Sequence, residues 1–355
     1  MPRTRDRRLD LLKGLLIAGV VLGHFLETTG GQAPSGLYSG WHHDPQRWIL
    51  TFLYLFHMPL FVFLAGVTAR PRRLVYRIAE MVGLYVLLQT AYVALRFGVS
   101  DLSLERLLHP TYALWFLLAM GWWLVALPFV VRLGAYALPA ATAVSIVAVL
   151  LPYPDGDLVA WSRALCYLPF FVAGHLYGTG ALRRTAETST VVMATAAAGL
   201  VTVTTLVVRS GLDPHWIRGA DTAASMDVTG ADAVAYRVLC LALATLCGAL
   251  VLAVVPDRMR HVEGLGRRSL AVYALHIPVV FFLQDNFQGA GVPQVEATLL
   301  ALAVTVVVLR VLAHPFFDRA IRRTAATVAQ VAVPPPLVHD PDPGRPTGPA
   351  ERVRV

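Results

Sequence analysis

The sequence predicts an all-α polytopic membrane protein, a bundle of about ten transmembrane helices with both termini on the cytoplasmic side. Three observations predict it. Only 15% of the 355 residues are charged and 56% are hydrophobic, whereas a soluble globular chain carries about 25% charged residues. So few charges cannot cover a soluble surface, and much of the surface must face lipid. Apolar stretches long enough to cross a bilayer, about 20 residues, recur along the chain. The arginines between them alternate between rich and poor loops.

The first span, 9–27, follows a basic start of Arg3, Arg5, Arg7 and Arg8. Asp10 and Lys13 interrupt its start, His24 and Glu27 follow its apolar run, and no small-residue cleavage site appears, so it reads as a retained helix and not a signal peptide. The second span, 48–68, carries His57 just before Pro59, where the proline frees a backbone carbonyl and kinks the helix. Spans follow at 77–97, 114–131, 135–152, 164–180, 190–208, 234–255, 269–285 and 296–314. With the N-terminus inside, one set of loops holds Arg70, Arg72 and Arg73; Arg132; Arg183 and Arg184; Arg258, Arg260, Arg267 and Arg268; and Arg319, Arg322 and Arg323. The opposite set spreads Arg47, Arg106, Arg163, Arg209 and Arg218 over longer stretches, and its 209–233 loop also holds Asp213, Asp221, Asp227 and Asp232. Lys and Arg collect on the cytoplasmic side, and one missed helix would invert every later loop. A multi-pass protein of the cell membrane is the expectation.

Residues 1–320 are read as the transmembrane domain and 321–355 as a disordered, Pro-rich cytoplasmic tail, with PPP at 334–336 and PDPGRP at 341–346. No internal repeat, nucleotide-binding glycine loop or appended soluble domain is present in the sequence. The net charge of +8 does not indicate nucleic-acid binding, because the arginines form short inter-span clusters and not one basic face. Cys166, Cys240 and Cys247 all lie in apolar segments, with neither a CxxC pair nor a disulfide framework.

Ionisable groups are expensive inside lipid, about 2.5–3.5 kcal/mol on insertion scales, which makes them the functional candidates. Lys13 and His24 are eleven positions apart, so they fall within about 20° on one helical face and roughly 16 Å apart along the axis. A snorkelling lysine and a hydrogen-bonded interior histidine are the plain alternatives. His57 either serves chemistry or satisfies its kink. Ser269, Tyr273 and His276 form one polar stripe that must face the bundle interior, for function or for interhelical hydrogen bonding. Arg77 and Glu80 read as a local salt bridge, and His175 as structural. Trp41, His42, His43 and Asp44 suggest aromatic contact with a glycan or an interfacial belt more than a metal site, and no metal is expected.

Together these segments resemble the membrane-bound acyltransferase family 3, most closely its fucose 4-O-acetylase-like branch. Lys13 and His24 match the family's basic residue, ten intervening residues and histidine, within an LD-x-x-KG context (Leu9, Asp10, Lys13, Gly14). HMPLFVFLAG at 57–66, LWFL at 114–117, YLPFFVAG at 167–174 and the YALHIP of 273–278 follow in order. The resemblance spans residue 5 to about 320. Lys13 stands where many relatives have arginine, which keeps the charge and loses the planar fork.

The resemblance implies an O-acyltransferase that moves an acyl group, usually acetyl, from cytosolic acyl-CoA to a hydroxyl of a sugar or glycoside, as in O-acetylation of polysaccharides. A neutral histidine removes such a hydroxyl's proton well near pH 7. His24 is therefore assigned as general base and Glu27 as the group orienting its ring. Lys13 is expected to attract the CoA phosphates and Trp115 to pack on the donor. His57, Tyr273 and His276 are expected to bind the acceptor or the thioester oxyanion. An acyl-histidine intermediate is the mechanistic rival. The competing functions are a transporter or exporter of a small hydrophobic or glycosylated compound, against which stands the missing repeat symmetry, and a non-catalytic membrane scaffold or sensor.

Overall fold

Proline and glycine, placed at intervals in the apolar runs, decide where the helices break and how closely they cross. The computed structural model describes residues 6–29, 41, 45–152, 158–180, 189–256, 259–287 and 292–333. Arg3, Arg5, His42, His43, Asp44, Arg183, Arg184, Arg258 and the PPP and PDPGRP segments lie outside these. In chain order the helices are α1 (Arg7–Thr29), α2 (Gln46–Tyr54), α3 (His57–Thr68), α4 (Leu74–Phe97), α5 (Leu104–Leu108), α6 (Trp115–Leu133), α7 (Ala137–Ala148) and α8 (Trp161–Gly178). They continue with α9 (Thr190–Ser210), α10 (Pro214–Arg218), α11 (Gly230–Val254), α12 (Arg260–Arg267), α13 (Ser269–Leu275), α14 (Ile277–Phe287), α15 (Gln294–Leu312) and α16 (Pro315–Ala332). The described residues contain no strand, and the protein is an all-α polytopic membrane protein.

Among the described residues, eight helical segments are long and apolar enough to cross a membrane. One of them, Tyr112–Ala148, breaks at Gly134, whose φ of 53° is the left-handed backbone glycine tolerates, and so divides into α6 and α7. The expected span at 164–180 is α8, whose hydropathy is diluted by Arg163 and His175. Each expected span thus corresponds to a helix or a kinked pair of helices.

The two kinked pairs set up the site. The second span divides into α2 and α3 at Leu55–Phe56, four residues before the Pro59 ring. There His57 Nδ1 donates to the Leu53 carbonyl at 2.7 Å. The span at 269–285 divides at His276, between α13 and α14, because Pro278 cannot donate to the carbonyl of Ala274. The Tyr92 hydroxyl, from α4, donates to that carbonyl instead.

Glycines govern the closest crossings. On α8, Gly174 and Gly178 face the carbonyls of Phe63 and Val67 on α3, and Gly66 on α3 faces the carbonyl of Phe171. Small residues at four-residue spacing let two helices approach backbone to backbone. Gly14 on α1 and Gly266 on α12 meet in the same way. The first contact fixes α3 against α8, and the second fixes α1 against α12.

Residues 321–332, expected to be part of a disordered tail, are helical. Residues up to Ala332 continue α16, an amphipathic helix with Pro315 in its first turn and Ile321, Ala325 and Ala329 buried. It packs on α4. The alanine-rich sequence favours helix, and the helix-breaking PPP comes only at 334–336.

Candidate active site

A cavity of about 310 Å³ opens in the interior where α1, the α2–α3 kink, the start of α6, α8, α10 and α13 converge. His24, Glu27, His57, Trp115 and Tyr273, five side chains singled out from the sequence, all line it.

The hydrogen bonds of His24 fix its chemistry. Its Nδ1 lies 3.0 Å from Nε2 of His276, the two rings tilted by only 11°. His276 is fully buried, and its Nδ1 meets the carbonyls of Tyr273 at 2.8 Å and Val272 at 3.1 Å. Carbonyls only accept, so Nδ1 of His276 carries a proton. In the neutral ring its Nε2 is then an acceptor, and the proton between the rings belongs to Nδ1 of His24. That leaves Nε2 of His24 with its lone pair, and among the described residues nothing takes it. His24 lines the cavity; His276 lies behind it, outside the lining. The hydrogen bond to the His24 ring is made by His276 and not by Glu27. Glu27 is buried, and its Oε1 accepts from Trp41 Nε1 at 2.9 Å and from the Tyr54 hydroxyl at 3.0 Å.

His57 shows the same polarity. With Nδ1–H given to Leu53, its Nε2 also has a lone pair at the cavity wall. The Tyr273 hydroxyl donates to the Ala113 carbonyl at 2.5 Å. In this arrangement neither His57, Tyr273 nor His276 has a proton left for an oxyanion. The multiple N–H groups of the lining are the guanidinium groups of Arg163 and Arg218. Arg163 lies over the Trp115 ring, 5.3 Å from its centroid, and Trp115 stacks on Tyr167 at 5.6 Å.

Lys13 lies apart. It lines a second cavity of about 170 Å³ together with Ser269 and Thr68. Phe61, Phe116 and Tyr273 line both cavities and form a layer between them, with ring centroids 5.6 Å apart for Phe61–Phe116 and 6.0 Å for Phe116–Tyr273. The separation of Lys13 from His24 along α1 is thus realised as two adjoining chambers.

Tyr54, Tyr112, Arg163, Tyr167 and Arg218 were not singled out from the sequence. Arg163 and Tyr167, four apart on α8, share a face, a pattern that counting Arg163 as a loop residue hid. Tyr112 has a φ of 48°, an unusual conformation for a residue with a side chain and one that clusters at functional sites. Its hydroxyl donates to Gln284 Oε1 at 2.5 Å. Nothing in the sequence marks Arg218, which α10 carries in from a loop.

The pair of rings makes a prediction. His276→Phe keeps the shape and removes the acceptor for Nδ1 of His24, so turnover is expected to fall by about 10–100-fold with substrate KM unchanged. His276→Gln, whose amide oxygen still accepts, is expected to retain more of the rate. Equal loss in both, or a loss confined to KM, would count against a positioning role.

A family model described as an acyltransferase domain, acyltransferase 3, matches residues 6–313. No curated protein and no solved structure matches the chain.

Proposed function

Because the chain belongs to the acyltransferase 3 family of membrane acyltransferases, we propose that it is an O-acyltransferase that moves an acyl group, acetyl in the first instance, from acyl-CoA to a hydroxyl of a glycan or glycoside. The observation that carries this reading is the unprotonated Nε2 of His24 at the wall of the cavity, its tautomer set by His276. A general base for a hydroxyl needs such a lone pair.

The acceptor oxygen attacks the thioester carbonyl carbon while Nε2 of His24 takes its proton. Negative charge gathers on the former carbonyl oxygen, where Arg163 and Arg218 stabilise it. The intermediate collapses with cleavage of the carbon–sulfur bond, and the departing CoA thiolate recovers the proton from His24. The products are the ester and free CoA. His57 and Trp115 hold the acceptor and the acyl group in place. Lys13, in the adjoining chamber, attracts the CoA phosphates from the cytoplasmic side, and the thioester reaches His24 past the Phe61, Phe116 and Tyr273 layer.

Protein purified in detergent tests the reading, with release of CoA from labelled acetyl-CoA as the signal. Acyl-CoA that neither binds nor turns over would remove the enzyme and favour an exporter. Labelled acetyl trapped on His24 without acceptor would replace direct transfer by an acyl-histidine route. Lys13→Ala is expected to raise the donor KM about tenfold, the size of one charge-assisted contact, with little change in kcat. An unchanged donor KM removes Lys13 from the donor site.

A further inference from the structure

A third, larger cavity of about 770 Å³ lies between α3, α7, α8 and α11, within membrane-spanning helices. Its only polar lining side chains, Thr142 and Thr245, donate back to the carbonyls of Leu138 and Leu241 in their own helices. It therefore offers hydrocarbon alone. Val238 and Leu246 of its lining are exposed, so the groove opens where lipid would be.

This groove adjoins the candidate active site across a small void. Pro59, Phe170, Leu241 and Ala244 line both the groove and a neck of about 20 Å³. Tyr54 and Tyr167 line both that neck and the cavity of His24. Arg237, also in the neck, is only 3% exposed. Its Nη1 contacts Cys166 Sγ and its Nη2 donates to the Asp221 carbonyl, while Nε has no partner. A buried guanidinium with a donor to spare is complementary to a phosphate.

We propose that the acceptor is borne on a lipid, its chain in the groove, its phosphate at Arg237 and its sugar hydroxyl in the cavity of His24. This rests on the acyl-transfer reading above and names the class of its acceptor. The neck is narrow, so the side chains of Tyr167 and Phe170 shift as the head group enters. Arg163 and Arg218, beyond the neck, continue the line of positive charge toward His24.

The test uses the full chain in phosphatidylcholine nanodiscs with a trace of diazirine-bearing geranylgeranyl phosphate, or of the matching uncharged alcohol. Photolabelled sites are read by peptide mass spectrometry. The phosphate is expected to label α8 and α11 at the groove about tenfold more than the alcohol does, as one charge-assisted contact predicts. Arg237→Gln should bring the phosphate down to the level of the alcohol, and Arg237→Lys should recover part of the difference. Ala244→Trp, which fills the groove from its wall, should reduce both labels and stands in if Arg237→Gln does not fold. Labelling spread evenly over α9 and α15, or equal for phosphate and alcohol, overturns the proposal and leaves the groove an ordinary lipid-facing surface. Hydrolysis of labelled acetyl-CoA in the same nanodiscs reads acyl transfer separately. Turnover with diffuse labelling sinks only the lipid site, whereas groove labelling without turnover sinks the transferase.

Discussion

His24→Ala is expected to lower acyl transfer by about 10²–10⁴-fold, the contribution of one positioned general base, while the protein still folds. The ring faces the cavity and packs on His276 and the edge of Tyr112. Its removal widens a cavity already present, which costs less than opening a void in a sealed core. The loss should appear in kcat, with donor binding retained, because Lys13 and its chamber lie beyond the aromatic layer. A His24→Ala protein that turns over at the wild-type rate would end the assignment. His57→Ala makes a useful comparison: its ring also has an unprotonated nitrogen at the wall, with its tautomer held by the Leu53 carbonyl and not by a second imidazole.

The second large effect is structural. Gly174→Ala should cost about 3 kcal/mol or more, at the upper end of overpacking changes, because the added Cβ meets the carbonyl and Cα of Phe63. Both are backbone atoms of α3 and cannot swing aside as a side chain would. The measurement is thermal unfolding in detergent with size-exclusion profile. Gly248→Ala is the matched control: it sits within α11 with nothing near its added Cβ, and alanine there should be neutral or stabilising by about 0.5–1 kcal/mol. Similar melting temperatures for the two variants would refute the close α3–α8 crossing. Since α3 carries His57 and α8 carries Arg163, loosening that crossing should also disturb the cavity.

The helices were legible because lipid imposes a rule that sequence obeys directly: about 20 apolar residues per crossing, with arginines sorted by loop. The kinks were legible where a proline stood inside a span, at Pro59. The same reasoning missed the end of α16, where the expected tail shares its composition with a surface helix and packing on α4 decides the matter. In the site, polar residues inside spans were conspicuous, and His24, Glu27, His57 and Tyr273 do share one cavity. Pairings between spans were not legible. Periodicity places His276 on an inward face, but only the crossing of α1 with the α13–α14 kink puts it against His24. Arg163 and Arg218 were hidden for a different reason. Arginine between spans is expected as a topology signal, so nothing in the residue type separates one that folds inward from one that faces water.

The aromatic layer of Phe61, Phe116 and Tyr273 bears on a problem of permeability. Two chambers joined by an open shaft would let protons and ions run down their gradients at every turnover. On the proposed mechanism, the three rings would form a plug of hydrocarbon that a slim thioester arm parts and that closes again behind it. On that mechanism a reactive group would pass from one chamber to the other while the bilayer stays electrically tight. Trimming one ring, as in Phe116→Ala, should therefore show itself first as a leak in sealed vesicles.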